Sequence, residues 1–131
     1  MKRKDIDKYQ RVQSQLEAFH REFEGLAKKT PNGALNPFKL KIVNQAIDDA
    51  NKVLGKEFFP IRGFAQFADE ELPSNSDVSM VLSQYLEAME VLRCRNIVQG
   101  SLGLWYWDVE DADHESMQAA APRMGMRLDW K

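Results

Sequence analysis

Several kinds of sequence feature are scarce in this chain of 131 residues, and each scarcity excludes a class of protein. A single cysteine, Cys94, cannot form an internal disulfide, which argues against a disulfide-stabilised secreted domain. No apolar run approaches the roughly 20 residues needed to cross a bilayer. Residues 5–15 are polar where a secretory signal requires an apolar core. We therefore expect a soluble, cytoplasmic protein with no membrane partner.

Motifs for catalysis and for metal binding are also missing. The chain contains no phosphate loop, no dinucleotide fingerprint, no G-x-S-x-G motif and no H-E-x-x-H motif. Its two histidines, His20 and His114, do not form a metal-ligating pair. The acidic stretch from Asp108 fails as a calcium loop, because Asp113 stands where glycine should make the turn and Ala119 where glutamate should ligate. We expect no enzyme activity, no cofactor and no metal site.

Length and composition indicate one globular domain over residues 1–131. The chain is 44% hydrophobic and 29% charged, which is typical of a folded domain and far from a disordered one. The formal net charge of -2 argues against a general nucleic-acid or membrane-surface role for the whole molecule. Local charge is uneven, however: the first helical segment is net basic, whereas residues 66–90 and 108–115 contain carboxylates but no Lys or Arg.

Residues 5–29 are predicted to form the first helix. Tyr9, Leu16 and Phe23 are seven residues apart, and the apolar positions between them alternate in steps of four and three. This pattern gives an a/d seam about three heptads long. The seam has two interpretations: it packs on the rest of the domain, with Leu16, Phe19 and Phe23 buried, or it pairs with a second copy in a homodimer.

A second helix is predicted from Asn36 and Pro37 to Gly55. Asn36 can cap the free amides, proline is tolerated at the first helical position, and Gly55 can end the helix in the left-handed conformation. Residues 58–72 follow without a clear period but with four phenylalanines. We expect a packed connector with one helical turn over residues 64–69, the alternative being a loop that lines a ligand site.

The third helix has the strongest local start signal in the chain. Ser74 and Asp77 have the spacing of a capping box, and broad apolar spacing follows to about Val98, with Gly100 as the terminator. This should be the central, most buried helix. Cys94 lies on its last turns, where we expect a buried and unreactive thiol.

The period then changes from helical to alternating. Leu102, Leu104 and Tyr106 should lie on one face of a strand and Trp105, Trp107 and Val109 on the other, and residues 124–130 alternate again. A short helix around residues 119–121 is expected in the connection between these two strands. The predicted fold class is therefore mainly α (α+β), with three principal helices and a short C-terminal antiparallel two-stranded ribbon.

The aromatic strand and its acidic connector are the predicted binding site. The three aromatic residues have three interpretations: packing on the core, a protein interface, or a platform for nucleic acid or a small ligand. The acidic residues beside them argue against nucleic acid, because phosphate neutralisation needs Lys and Arg. The alternatives for the acidic stretch are a solvated loop, a protein-binding surface or a metal site. The predicted partner-binding residues are Trp105, Tyr106, Trp107, Asp108, Glu110, Asp111 and Asp113.

These observations lead to three functional hypotheses from different classes, of which the third is an enzyme with an unfamiliar site around His114. The first is a small non-catalytic protein-binding module, such as an adaptor, an inhibitor or an immunity-type factor, which occludes a protein partner with a basic surface. The second is a nucleic-acid-associated regulator that dimerises through its first helix. It would bind nucleic acid through the basic residues Lys2, Arg3, Lys4, Lys8 and Arg11.

Overall fold

The computed structural model of the chain describes residues 1–123, and its first element is the long helix α1 (Arg3–Lys29). The predicted seam is buried: Tyr9 and Leu16 have no solvent exposure, Phe23 is 3% exposed, and Phe19 is half-buried against the core. The helix contacts the third helix of the chain most extensively and the second helix to a lesser extent. The first interpretation of the seam is therefore correct, because other helices of the same chain occupy the apolar stripe that a dimer would have used.

The second helix, α2 (Pro37–Leu54), begins and ends as predicted. The Asn36 side chain accepts a hydrogen bond of 2.8 Å from the Lys39 amide, and Gly55 adopts a positive φ of 72° after the last turn. A single 3₁₀ turn, Lys56–Phe58, follows. The helical turn predicted over residues 64–69 is wrong, because no helix is assigned there.

Side-chain amides of α2, rather than a helix, hold the connector in place. Asn44 and Asn51 lie two turns apart on one face of the helix. Asn44 pairs with the backbone of Phe67 through two hydrogen bonds of 2.9 Å, and Asn51 donates to the Ala65 carbonyl at 3.0 Å. The rings of Phe64 and Phe67 meet edge to face, and both pack against the core. The packed-connector interpretation is thus confirmed.

The third helix, α3 (Asn75–Cys94), starts with the predicted capping box. The Ser74 hydroxyl accepts from the Asp77 amide at 3.1 Å, and the Asp77 carboxylate accepts from the Ser74 amide at 3.4 Å. The predicted end at Val98 is wrong. The helix stops at Cys94 because Asn96 caps the Leu92 carbonyl, and the next residues leave to pair in a sheet.

Three short antiparallel strands form the β part, in the order β1 (Ile97–Gln99), β2 (Trp105–Trp107) and β3 (Gln118–Ala119). Ile97 pairs with Trp107 and Trp105 pairs with Ala119. The short helix predicted at residues 119–121 is wrong, since its first residue belongs to β3. The strand predicted over residues 124–130 lies outside the described residues.

The three helices and the sheet share one apolar core. Tyr9 joins three of these elements, because its hydroxyl donates to the Met89 carbonyl at 2.7 Å and its ring meets that of Trp107 edge to face at 5.3 Å. The predicted fold class, mainly α with a small β part, is confirmed, although the described sheet has three strands rather than two. Within residues 1–123, no helix is both long and apolar enough to span a membrane.

Candidate functional site: the hairpin tip

The hairpin formed by β1 and β2 ends in a tight turn whose central residues are Leu102 and Gly103. The Leu104 amide donates to the Ser101 carbonyl at 3.2 Å, and the Gly100 amide donates to the Leu104 carbonyl at 2.8 Å. Both central residues have positive φ, 60° for Leu102 and 73° for Gly103, as in a type I′ turn. This turn suits the twist of the hairpin, but it normally takes Asn or Asp at the position that Leu102 occupies.

Leu102 is the most exposed large apolar side chain in the described part of the chain. Its exposed fraction is 96%, so the residue gains almost nothing from packing. A left-handed backbone costs a residue with a branched side chain about 1 kcal/mol or more, because Cβ crowds the following carbonyl. The predicted strand position of Leu102 is wrong, because the residue lies in the turn. The run Gly100, Ser101, Leu102, Gly103 was the signal for a turn.

The outer face of the hairpin continues this apolar surface. Val98 pairs directly with Tyr106, and Leu104 lies two residues before Tyr106, so the three side chains share one face of the sheet. Val98 is 44% exposed, Leu104 is 41% exposed, and Tyr106 is half-buried. The resulting surface, which we call the hairpin patch, consists of Val98, Leu102, Leu104 and Tyr106.

The opposite face of the hairpin belongs to the core. Trp107 is 3% exposed, Ile97 is buried beside it, and Trp105 is half-buried against the same cluster. The predicted alternation of faces along the aromatic strand is therefore correct. Of the three aromatic residues predicted to bind a partner, Tyr106 lies on the outer face, whereas Trp105 and Trp107 pack inward.

A carboxylate holds the turn from the side. Glu115 accepts a hydrogen bond from the Ser101 amide at 2.6 Å, and this bond, together with one from the Ser101 side chain, lowers the pKa of Glu115. Glu115 has a positive φ of 66°. Gly100 makes room for the contact, because a Cβ atom there would lie 2.5 Å from the Glu115 Oε1 atom and 3.0 Å from the Tyr106 ring.

The first half of the acidic stretch contacts the N-terminus of the chain. The Asp108 carbonyl accepts from the Met1 amino group at 3.0 Å, and the Glu110 carboxylate lies 3.7 Å from that amino group. The Asp111 carboxylate accepts from the Arg3 amide at 3.0 Å and thereby caps the start of α1. The backbone at the start of the basic segment thus lies beside the acidic stretch, although the two are distant in sequence.

Three of the six carboxylates in the second acidic cluster, residues 66–90, make structural contacts. Asp77 completes the capping box, and Glu87 pairs with Arg123 at 2.7 Å. Glu90 is buried and makes two 2.8 Å hydrogen bonds with Arg93. The other three, Asp69, Glu70 and Glu71, lie in the connector and are exposed.

The buried pair Glu90 and Arg93 anchors the segment that follows β3. Arg93 donates to the carbonyls of Ala120 and Ala121 at 2.6 and 2.9 Å, while Glu90 accepts from the Arg123 amide at 3.1 Å. Burial raises the pKa of Glu90, but the hydrogen bonds from Arg93 and Arg123 and the Arg93 charge outweigh it, so the net pKa is lowered.

Cys94 lies beside this pair and is poorly suited to nucleophilic catalysis. It is 7% exposed, and its thiol donates to a Glu90 oxygen at 3.5 Å. Burial and the nearby Glu90 charge raise the pKa of the thiol to about 11. An activated cysteine requires the opposite, a lowered pKa at an accessible position.

The hairpin tip therefore combines strong apolar exposure with a strained backbone, whereas Phe38, which is 71% exposed, lies on a regular helix. Within residues 1–123, no three side chains of the His, Cys, Asp or Glu type cluster in a way that would hold a metal ion. An open groove of about 740 Å³ lies between α2 and the connector, lined mainly by polar side chains including Asn44, Gln45 and Gln66. Comparison with known proteins adds nothing to this geometry, since no family model, no curated protein and no solved structure matches the chain.

Proposed function

We propose that this chain is a small non-catalytic protein-binding module, an adaptor, inhibitor or immunity-type factor that occludes a protein partner, and that the hairpin patch is its binding surface. The observation that carries the proposal is Leu102, a 96% exposed leucine in a left-handed turn position. Strained conformations of this kind cluster at functional sites. They persist only where the surrounding structure compensates for their cost.

Leucine is an unfavourable residue at position 102 in the unbound protein. Asn or Gly would adopt the same backbone at a lower cost, and a polar side chain would be better solvated. Leucine becomes favourable only when an apolar pocket covers it, and burying such a side chain is worth about 1.5–3 kcal/mol. Val98, Leu104 and Tyr106 extend the area that the same contact would bury.

The charge around the hairpin supports a protein partner over a nucleic acid. Residues 97–119 contain Asp108, Glu110, Asp111, Asp113 and Glu115 but no Lys or Arg. Phosphates would be repelled there, whereas a protein with basic residues around an apolar pocket would be attracted. We propose the cytoplasm as the compartment, because the one cysteine is a buried free thiol.

The alternative function, a dimeric regulator associated with nucleic acid, receives less support. Its dimer seam on α1 is occupied by α2 and α3. Its basic residues at the start of α1 lie beside the acidic stretch, where Asp111 accepts from the Arg3 amide. The first feature removes the proposed dimer interface, and the second places carboxylates beside the positive surface that binding to phosphates requires.

Photo-crosslinking from the hairpin tip tests the proposed function. A leucine analogue of similar size that carries a photoreactive diazirine replaces Leu102 in one variant and, as a matched control, replaces Met80, a 58% exposed apolar residue of α3, in another. Irradiation in a lysate of the native host should label one protein from position 102 only. Excess wild-type chain or Met80→Asn should compete this label away, whereas Leu102→Asn should not.

Two results would contradict the proposal. Equal labelling from positions 102 and 80 would mean that the hairpin tip has no special affinity. Full competition by Leu102→Asn would mean that the leucine side chain does not contribute to binding.

A further inference from the structure

A second strained residue contacts the hairpin tip from outside the turn, and the proposed function does not explain its role. Among residues 1–123, Leu102 and Glu115 are the two residues other than glycine with positive φ, 60° and 66°. They are far from adjacent in sequence, yet a single residue joins them, because the Glu115 carboxylate accepts from the Ser101 amide at 2.6 Å. Two independent left-handed residues therefore meet at one turn.

We propose that Glu115 is a positioning residue that fixes the Leu102 turn in its binding conformation, and that the matching partner surface is a leucine-sized apolar pocket with a Lys or Arg at its rim. This inference rests on the proposed function, since it gives that binding surface its support and its partner chemistry.

The hydrogen bond between Glu115 and the Ser101 amide is the reason to assign Glu115 a positioning role. A tight hairpin turn with leucine in place of asparagine lacks the side-chain to backbone hydrogen bond that asparagine can supply locally. Glu115 supplies a bond from outside the turn, and a bond to an ionised acceptor is about twice as strong as one between neutral groups. Gly100 makes room for this bond, because a Cβ atom there would lie 2.5 Å from the Glu115 Oε1 atom and the carboxylate would have to shift.

The charge of Glu115 is the reason to expect a cationic residue on the partner. Glu115 is exposed, so its charge lies in solvent. It is bonded to Ser101, the residue that directly precedes Leu102. No Lys or Arg occurs in residues 97–119 to neutralise it. A partner pocket that accepts Leu102 must approach this carboxylate, and a cationic side chain at the pocket rim would compensate for its lost hydration.

Two variants of Glu115 separate position from charge. Glu115→Gln keeps an oxygen that can accept from the Ser101 amide but removes the charge, whereas Glu115→Ala removes both. Glu70, an exposed carboxylate of the connector, provides the matched control pair Glu70→Gln and Glu70→Ala. Melting temperatures of all four full-length variants establish that each one folds.

The first measurement needs no partner. Backbone ¹⁵N relaxation should give order parameters of about 0.85 for residues 100–104 in the wild type and in Glu115→Gln. In Glu115→Ala these should fall below about 0.6. The Glu70 variants should match the wild type. Rigid residues 100–104 in Glu115→Ala would overturn the positioning role.

The second measurement uses the protein that is crosslinked from position 102. With that protein, Glu115→Ala should accelerate dissociation by about tenfold. Glu115→Gln should leave dissociation close to wild type but slow association severalfold at low salt, and the difference should disappear at high salt. Equal association rates for Glu115→Gln and wild type would overturn the cationic rim.

The outcomes distinguish failure of this inference from failure of the proposed function. If Leu102→Asn abolishes binding while both Glu115 variants bind like the wild type, the binding surface stands and the role of Glu115 is refuted. If position 102 crosslinks no protein, or Leu102→Asn binds normally, the proposed function and the cationic rim fail together. The relaxation data then still decide whether Glu115 fixes the turn.

Discussion

Leu102→Asn should make the protein more stable, which is unusual for the removal of a large apolar side chain. Leu102 is 96% exposed, so the mutation forfeits only a few per cent of the roughly 2 kcal/mol that full burial of a leucine provides. Asparagine tolerates the left-handed backbone that leucine occupies at φ 60°, and relief of that strain is worth about 1 kcal/mol. The expected net gain in the free energy of unfolding is therefore about 1 kcal/mol.

The matched control for this substitution is Leu104→Asn. Leu104 lies two residues away in an extended conformation, with φ −75° and ψ 154°, and it is 41% exposed. No strain is relieved there, and more than half of the side chain loses its packing, so the mutation should destabilise the protein by about 1 kcal/mol. The two substitutions are chemically identical and differ only in position, yet their effects should have opposite signs.

Urea and thermal unfolding measure both effects directly. A gain of about 1 kcal/mol should raise the melting temperature of a chain of this length by about 3–4 °C. The same Leu102→Asn variant should lose binding in the crosslinking competition, so stability and function should change in opposite directions. A lower or unchanged melting temperature for Leu102→Asn would refute the reasoning, because it would mean that the leucine packs on the protein or that the turn carries no strain.

The remaining predictions concern the interior and the connector. Arg93→Met should cost about 3–5 kcal/mol in a urea titration, because it leaves the Glu90 carboxylate buried without its partner; a cost below 1 kcal/mol would contradict this. Because the pKa of Glu90 is lowered from its ordinary 4.5, its stabilising contribution should be complete above that pH and lost as the pH falls below it; the urea midpoint between pH 3 and 6 should drop less in Glu90→Gln. Asn44→Ala removes both hydrogen bonds to Phe67 and should cost about 2 kcal/mol, with faster amide exchange confined to the connector. Cys94 should react with alkylating reagents at neutral pH far more slowly than a free thiol, and fast labelling in the folded state would show that the helix end is open.

Only part of the proposed binding surface and its surroundings could be predicted from the sequence. The alternation of Trp105, Tyr106 and Trp107 was correct because side chains along a strand point to opposite faces whatever the strand packs on. The hairpin turn was missed because Leu-Gly is not a typical pair for a turn that requires positive φ at both positions. Asp111 could not be assigned its role, since the amide that it caps belongs to Arg3, 108 residues earlier in the chain.

Local chemistry alone determined the presence of the three long helices and the caps at which α2 and α3 begin. The apolar period of α1, the Asn36 cap of α2 and the capping box at Ser74 involve residues within a few positions of one another, and such patterns can be read without knowing the fold. Tertiary contacts decided the rest. The residues from Ile97 to Gln99 have an apolar spacing that would also continue a helix, and they became a strand because β2 offered hydrogen-bond partners. The connector lacks a period of its own, and the amide of Asn44 on another element fixed its path. These outcomes depend on groups that are distant in sequence, whose distances only the folded chain sets.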